Sequence, residues 1–355
     1  MQPNEAPRVS IIVPCRNEIR CIRAFLDAVF SQELDQIDME VLIADGMSDD
    51  GTRSILREFE GRHAALRVLD NPGKIVSTGL NRAIREAKGE IIIRMDVHSV
   101  YAQNYVRSCV EVLNETNAEN VGGPARTLAD GHLPQAIAHA FHTPFASGGA
   151  RFRNPCYEGP VDTVTYGCWR KSTLERVGMF DEQLVRSQDD ELNLRITASG
   201  GVVWQSSRII SWYRPRSSLV ALFLQYFQYG FWKVAVIRKH RRFSRWRNLV
   251  PVSCLLVGII LPLCAVAADL SGSAWWRNAF LAEWLTLVSL YFVASFMTAI
   301  SVAMKEGWVF LLSMPIVFAT YHLAYALGFL LALFYRTAAW DRLSPMRKVL
   351  TAITH

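Results

Sequence analysis

From Arg8 to about residue 215, short apolar runs alternate with stretches whose apolar residues recur every three or four positions. Arg8–Pro14 reads as a buried strand and Glu18–Ser31 as an amphipathic helix. The alternation continues with a strand at Glu40–Asp45, a helix at Thr52–Glu60, a strand at Leu66–Leu69 and a helix at Ile75–Ala87. Glu90–Asp96 follows as a strand and Asn104–Thr116 as a helix. Buried strands separated by helical crossovers predict an α/β domain whose sheet is mostly parallel.

Beyond residue 235 the pattern changes. Leu249–Ala268, Ala279–Met304 and Trp308–Tyr335 are apolar all round, and each has roughly the 20 residues that cross a hydrocarbon core. Pro251 and Pro262 single out the first run for a re-entrant or interfacial course. Just ahead of it, Arg238–Arg247 concentrates basic residues that suit a cytoplasmic face and anionic headgroups. The expected organisation is a catalytic domain over 1–235, a basic juxtamembrane segment over 236–248, a membrane domain over 249–335 and a basic tail over 336–355. Gln225–Lys233 fits an amphipathic helix lying on the membrane as well as it fits a substrate site, and Trp275, Trp276 and Trp340 read as interfacial anchors.

Charge supports that division. The net charge of +6 splits into 26 Lys/Arg against 28 Asp/Glu over 1–235, and 12 against 4 beyond. An acidic first part argues against a nucleic-acid partner, which needs clustered cations. The 7 cysteines form no C-x-x-C pair, so they predict neither a zinc site nor a disulfide framework, and they suit a reducing compartment. Met1–Arg8 is too polar for the start of a secretory signal.

Ligands of open α/β sheets sit beyond the carboxyl ends of the strands. Three such ends here carry acids: Pro14-Cys-Arg-Asn-Glu18 after the first strand, Asp45-Gly-Met-Ser-Asp-Asp-Gly-Thr52 after the second, and Asp96-Val-His98 after the fourth. Any one of them could be a turn or a helix cap; three at one edge repel unless a cation or hydrogen-bond donors intervene. Asp96 and His98, two apart at a strand end, can share an ion. Arg94, inside the same strand, is an unusual charge for that place. A second acidic cluster, Ser187-Gln-Asp-Asp-Glu-Leu192, opens a helix and suits either its dipole or catalysis. No P-loop and no G-x-G-x-x-G follows a strand.

The order P-x-R-N-E, D-G-x-S-x-D-G-T, D-x-H, G-x-F-D and D-x-E-L resembles the inverting family-2 glycosyltransferases of GT-A fold. Ala44-Asp-Gly-Met-Ser48 and Arg94-Met-Asp-Val-His98 most resemble bacterial membrane enzymes of the succinoglycan type that extend lipid-linked exopolysaccharide units. The resemblance spans roughly 8–240. It implies that Pro14, Asn17, Glu18 and Asp45 line a uridine pocket, and that Asp96 holds a divalent cation and the diphosphate. His98 stands in place of a second Asp, Asp189 matches the catalytic base, and Glu191 the following acid. Gln228-Tyr-Gly-Phe-Trp232 is similar to the Q-x-x-R-W signature of processive synthases, with Gln228 and Trp232 as substrate contacts, but Phe231 replaces its Arg. Ala44 and Gln188 also depart from the usual acids.

The implied reaction takes sugar from a UDP-sugar of the UDP-glucose type to a hydroxyl of a polyprenyl-diphosphate-linked saccharide, at the cytoplasmic side of the inner membrane. Asp189 takes the proton, and a cation, Mn²⁺ over Mg²⁺ if His98 is a ligand, stabilises the leaving diphosphate. Two alternatives stay open: a polyprenyl monophosphate as acceptor, and a non-catalytic sugar-nucleotide-binding partner in an assembly complex. His132, His139 and His142 read as ordinary histidines with no acid at ligand spacing, and His322 as a candidate partner for another helix or a lipid diphosphate.

Overall fold

The computed structural model describes residues 8–241 and 246–335; residues 242–245 of the basic segment, the expected tail 336–355 and Trp340 lie outside them. The chain divides into two compact units, Met1–Leu128 with Arg151–Arg214, and Ala129–Ala150 with Pro215–His355. The elements run β1 (Arg8–Cys15), α1 (Ile22–Phe30), β2 (Asp38–Asp45), α2 (Thr52–Glu60), β3 (Leu66–Asp70), α3 (Val76–Glu86), β4 (Ile91–Arg94), β5 (Ser99–Tyr101) and α4 (Tyr105–Thr116). They continue with β6 (Asn120–Gly123), β7 (Arg126–Thr127), α5 (His132–His142), α6 (Pro144–Ser147), β8 (Gly159–Pro160), β9 (Thr165–Arg170), α7 (Lys171–Val177) and α8 (Gln188–Ala198). The remainder is β10 (Val203–Gln205), β11 (Ser211–Tyr213), α9 (Leu219–His240), α10 (Val250–Leu270), α11 (Ala274–Glu306) and α12 (Ser313–Phe334).

The first unit is built on a sheet in the order β3-β2-β1-β4-β9-β6-β10-β8, with a small sheet β5-β11-β7. β3, β2, β1 and β4 are parallel, as are β6 and β10, while β9 runs antiparallel between β4 and β6. Strand residues alternate between two cores. Val9, Ile11, Val13 and Ile93 pack into one layer, and Ile12, Leu42 and Ile92 into the other with Trp169, Leu192 and Ile196. Because both faces are covered, the central strands read as almost unbroken apolar runs. Each fully buried Ile or Leu is worth roughly 1.5–3 kcal/mol relative to exposure. Register then aligns the edge: Cys15 pairs with Asp45, and Asp45 with Asp70, so β1, β2 and β3 end level. Arg94 is level with Ile12, and Met95 N–H still bonds Ile12 O.

The second unit is helical. α9 starts at Ser218, whose hydroxyl accepts from Ala221 N–H at 3.2 Å. The boundary expected at 235 therefore falls inside a continuous helix, and residues 129–150 join this unit rather than the first. Among the described residues four helices are long and apolar enough to cross a membrane, one more than the hydropathy runs predict. The addition is Leu219–His240, which packs along α12 in the same direction. The two backbones meet where side chains vanish. A Cβ at Gly230 would lie 2.0 Å from Tyr325 O, and one at Gly328 1.9 Å from Phe227 O. Small residues at such crossings let apolar helices associate where no hydrophobic effect drives them together. Near the end of α9, Arg238 donates to Leu333 O and Tyr335 O, satisfying carbonyls at the end of α12. α10 is one unbroken helix: Pro251 sits in its first turn, where a missing N–H costs nothing, and Pro262 is accommodated inside. His322 is bonded on both ring nitrogens, to Tyr291 OH on α11 and Phe145 O on α6, each at 3.0 Å. It serves as a partner within the helical unit.

Candidate active site

The first two polar loops at the sheet edge are joined chiefly to each other. Asn17, with φ of 55°, donates through Nδ2 to Asp49 Oδ1 at 2.9 Å, and Asp49 N–H returns a bond to Asn17 Oδ1 at 3.0 Å. Asn17 N–H bonds Ser48 Oγ, Glu18 N–H bonds Thr52 Oγ1, and Ile19 N–H bonds Asp50 Oδ2. Gly51, at φ of 102°, makes the left-handed turn into α2. Bonds from Thr52 and from Ile19 N–H hold the Asp50 carboxyl below its ordinary range against the opposing effect of burial.

Asp45 departs from the expected pocket-lining role. Its side chain is fully buried, accepts from Ser48 Oγ at 2.5 Å and from Ser48 N–H, and faces Arg53 Nε at 3.4 Å. A buried carboxylate must be bonded, and here neighbouring loop groups already do so. Pro14 sits at the top of β1, half-buried. Glu18 Oε1 faces His98 Nδ1 at 3.6 Å. Behind them Cys15 is raised well above its ordinary pKa by burial, and then by Asp45, Glu18 and Asp50. The charge around the first two strand ends is negative.

The third strand end meets α8. Arg94 lies on the same face of β4 as Ile92, the face covered by α3, α7 and α8. Its guanidinium donates through Nε to Asp96 Oδ1 and through Nη2 to Asp96 Oδ2, both at 2.9 Å, and through Nη1 to Asp189 Oδ1 at 2.5 Å. Asp96 and Asp189, 93 residues apart in sequence, are thus brought to one cation. Burial works against the charge on Arg94, but Asp189 and then Asp96 outweigh it and raise its pKa. Asp189 is about one-third exposed, at 34%. Burial raises its pKa above the ordinary carboxylate value, and Asp96 and Asp190 add to the rise against the pull of Arg94. Tyr101 fixes the turn after β4: its hydroxyl accepts from Asp96 N–H at 2.6 Å.

Glu191 is placed differently from the substrate contact expected of it. Two residues along a helix is about 200°, so it points away from the side that Asp189 presents. It is fully buried and pairs with Arg195 Nε and Nη2 at 2.8 and 2.7 Å, and Arg195 in turn bonds Val177 O and Met179 O. Glu191 anchors α8 to the turn before it. Gln228 and Trp232 lie on α9 in the second unit and are buried there. His139 does have an acid nearby, Glu306 at 3.9 Å, brought by the return of α11.

For a divalent cation, the donors expected are Asp96 and the more exposed His98, whose ring faces Glu18. Among the described residues no group of three or more His, Cys, Asp or Glu is placed to hold a metal ion. An ion of the Mg²⁺ or Mn²⁺ kind bound through one or two side chains and completed by substrate phosphates needs none. Arg94 occupies one side of Asp96, and a carboxylate has further lone pairs to offer. One carboxylate and one imidazole suit such an ion in kind.

A mainly parallel sheet with acids at its carboxyl edge and a helix-borne carboxylate beside them is the GT-A arrangement. The family model described as Glycosyl transferase family 2 matches residues 10–177. The succinoglycan biosynthesis protein ExoA of Rhizobium meliloti is 31% identical over 245 residues, 68% of this chain and 74% of that one. The chain belongs to glycosyltransferase family 2 and is a glycosyltransferase related to exopolysaccharide and lipid-linked-saccharide transferases. A Methanococcus voltae relative, a dolichyl N-acetyl-alpha-D-glucosaminyl phosphate 3-beta-D-2,3-diacetamido-2,3-dideoxy-beta-D-glucuronosyltransferase, is 28% identical over 65% of this chain and 74% of its own. The mannosyltransferase PcManGT of Pyrobaculum calidifontis, solved with GDP-Man and Mn²⁺, shares the fold. Its TM-score is 0.58 at 19% identity, over 91% of this chain and 88% of that one.

Proposed function

We propose that this chain is a membrane-bound inverting transferase that moves a sugar from a UDP-sugar of the UDP-glucose type to a hydroxyl of a polyprenyl-diphosphate-linked saccharide. The observation that carries the reading is the convergence of Asp96 and Asp189 on Arg94. Asp189 accepts the proton of the acceptor hydroxyl as its oxygen bonds the anomeric carbon, and the bond from that carbon to the nucleoside diphosphate breaks on the opposite face. The rise in its pKa is in the direction that a stronger base requires. The negative loops supply acceptors for ribose hydroxyls and base N–H groups, with Asn17 and Glu18 at the pocket wall. Asp96 and His98 would hold a divalent cation, Mn²⁺ being favoured by the imidazole; when bound, it would supply charge to offset that of the leaving diphosphate.

The lipid-linked acceptor is supported by the four apolar helices and by the dolichyl phosphate in the name of the Methanococcus relative. A helical anchor keeps the enzyme at the surface to which such an acceptor is confined. The basic segment from Arg238 suits a cytoplasmic face of the inner membrane and anionic lipid. The test is turnover of labelled UDP-sugars and GDP-mannose by membranes, followed by extraction of the lipid product. Label in the lipid phase from a UDP-hexose is expected; label only from GDP-mannose would replace the donor, and none in lipid would sink the acceptor.

A further inference from the structure

The site contains one group that the transfer reaction does not consume and that no strand needs. β4 is otherwise isoleucine, yet its last residue, Arg94, turns its guanidinium into the layer of α8 with a side chain only 5% exposed. A charge so placed is tolerated only when paired. Its pairing is two-sided: Nε and Nη2 grip both oxygens of Asp96, and Nη1 reaches Asp189. The planar fork fixes directions as well as distances, which an ammonium cannot do.

We propose that Arg94 is a positioning residue that sets the separation and orientation of the donor-side carboxylate Asp96 and the acceptor-side carboxylate Asp189. Through it, the leaving diphosphate and the incoming hydroxyl are held to one line across the anomeric carbon. This rests on the reading of Asp189 as base given above. The mechanism is geometric: a misplacement of about 1 Å between reacting groups costs on the order of 10²-fold in rate. Lysine keeps the charge that the two acids require but loses the fork, whereas a neutral residue would leave two carboxylates facing each other.

The test uses the full chain with Arg94→Lys, Asp189→Asn and the double variant. It measures kcat and KM for donor and acceptor, UDP and GDP binding by calorimetry without divalent cation, and thermal unfolding. Arg94→Lys is expected to lower kcat about 10²-fold while nucleotide affinity stays within about threefold and Tm within a few degrees. The double variant should be no slower than Asp189→Asn by more than about threefold, because two groups serving one alignment are not additive. Full turnover by Arg94→Lys, or multiplicative loss in the double variant, would overturn the proposal. So would a joint fall of kcat, nucleotide affinity and Tm, which would make Arg94 merely structural. Turnover retained by Asp189→Asn would instead remove the base itself, a failure separable from that of Arg94.

Discussion

The two units use the same apolar residues to opposite ends. In the first, strand residues such as Ile11, Ile12 and Ile93 are fully buried, and Arg94, the one charge inside β4, is neutralised by two acids. In the second, large apolar side chains face outward, chiefly along α10, α11 and α12: all but five of the exposed ones among the described residues belong to this unit. Water would penalise that surface heavily, and a hydrocarbon surrounding removes the penalty. The first unit is therefore held by burial of side chains against a sheet. The second is held by close backbone approach and by a few satisfied polar groups, His322 and Arg238 among them.

Substitutions can break that contrast at different depths. The largest effect expected is chemical: Asp189→Asn should lower kcat by about 10²–10⁴-fold with nucleotide binding unchanged, measured by turnover and calorimetry. Next is the sheet core, where Ile11→Ala should cost about 2–5 kcal/mol of stability, read as a lower unfolding midpoint. Leu263→Ala, exposed on α10, should change it by less than about 0.5 kcal/mol; equal losses would erase the distinction between the units. Gly328→Val forces a side chain against Phe227 O and should destabilise the helical unit by about 1–3 kcal/mol. Trp fluorescence of the detergent-solubilised protein would follow this, and a wild-type midpoint would sink the crossing. The smallest effect is electrostatic. A base must be ionised, so activity is present above its pKa and lost as pH falls through it, and a raised pKa moves that acid limb upward. Asp190→Asn removes one cause of the rise and should shift the limb of the kcat profile slightly to lower pH; an upward shift would contradict the assignment.

Much of the first unit was legible because local pattern and tertiary role agree there. Thr52–Glu60 is a helix as its periodicity requires, and Arg8–Pro14 and Leu66–Leu69 lengthen by a single residue each. The motif sets Glu191 next to Asp189 in sequence, while helical rotation turns it to the other face, where it pairs with Arg195. Gln225–Lys233 suits a surface helix or a substrate site equally by its pattern, because the pairing of α9 with α12 through Gly230 and Gly328 leaves no trace in hydropathy. Arg94 carried a signal, a cation among isoleucines, but its partner could not be inferred from one strand.

By itself, the order of apolar and polar residues determined an α/β unit with acids at one sheet edge, and an apolar tail able to enter a membrane. It did so because strand and helix periods, and the length needed to cross hydrocarbon, are properties of a segment taken alone. Which side chains meet was decided only by the tertiary structure. That Asp45 is sealed by Ser48 and Arg53, that Arg94 joins Asp96 to Asp189, and that α9 belongs with α12 all depend on register and crossing geometry between distant segments. Charge pairing and backbone approach are set by a few ångströms in space, a distance that separation along the chain does not encode.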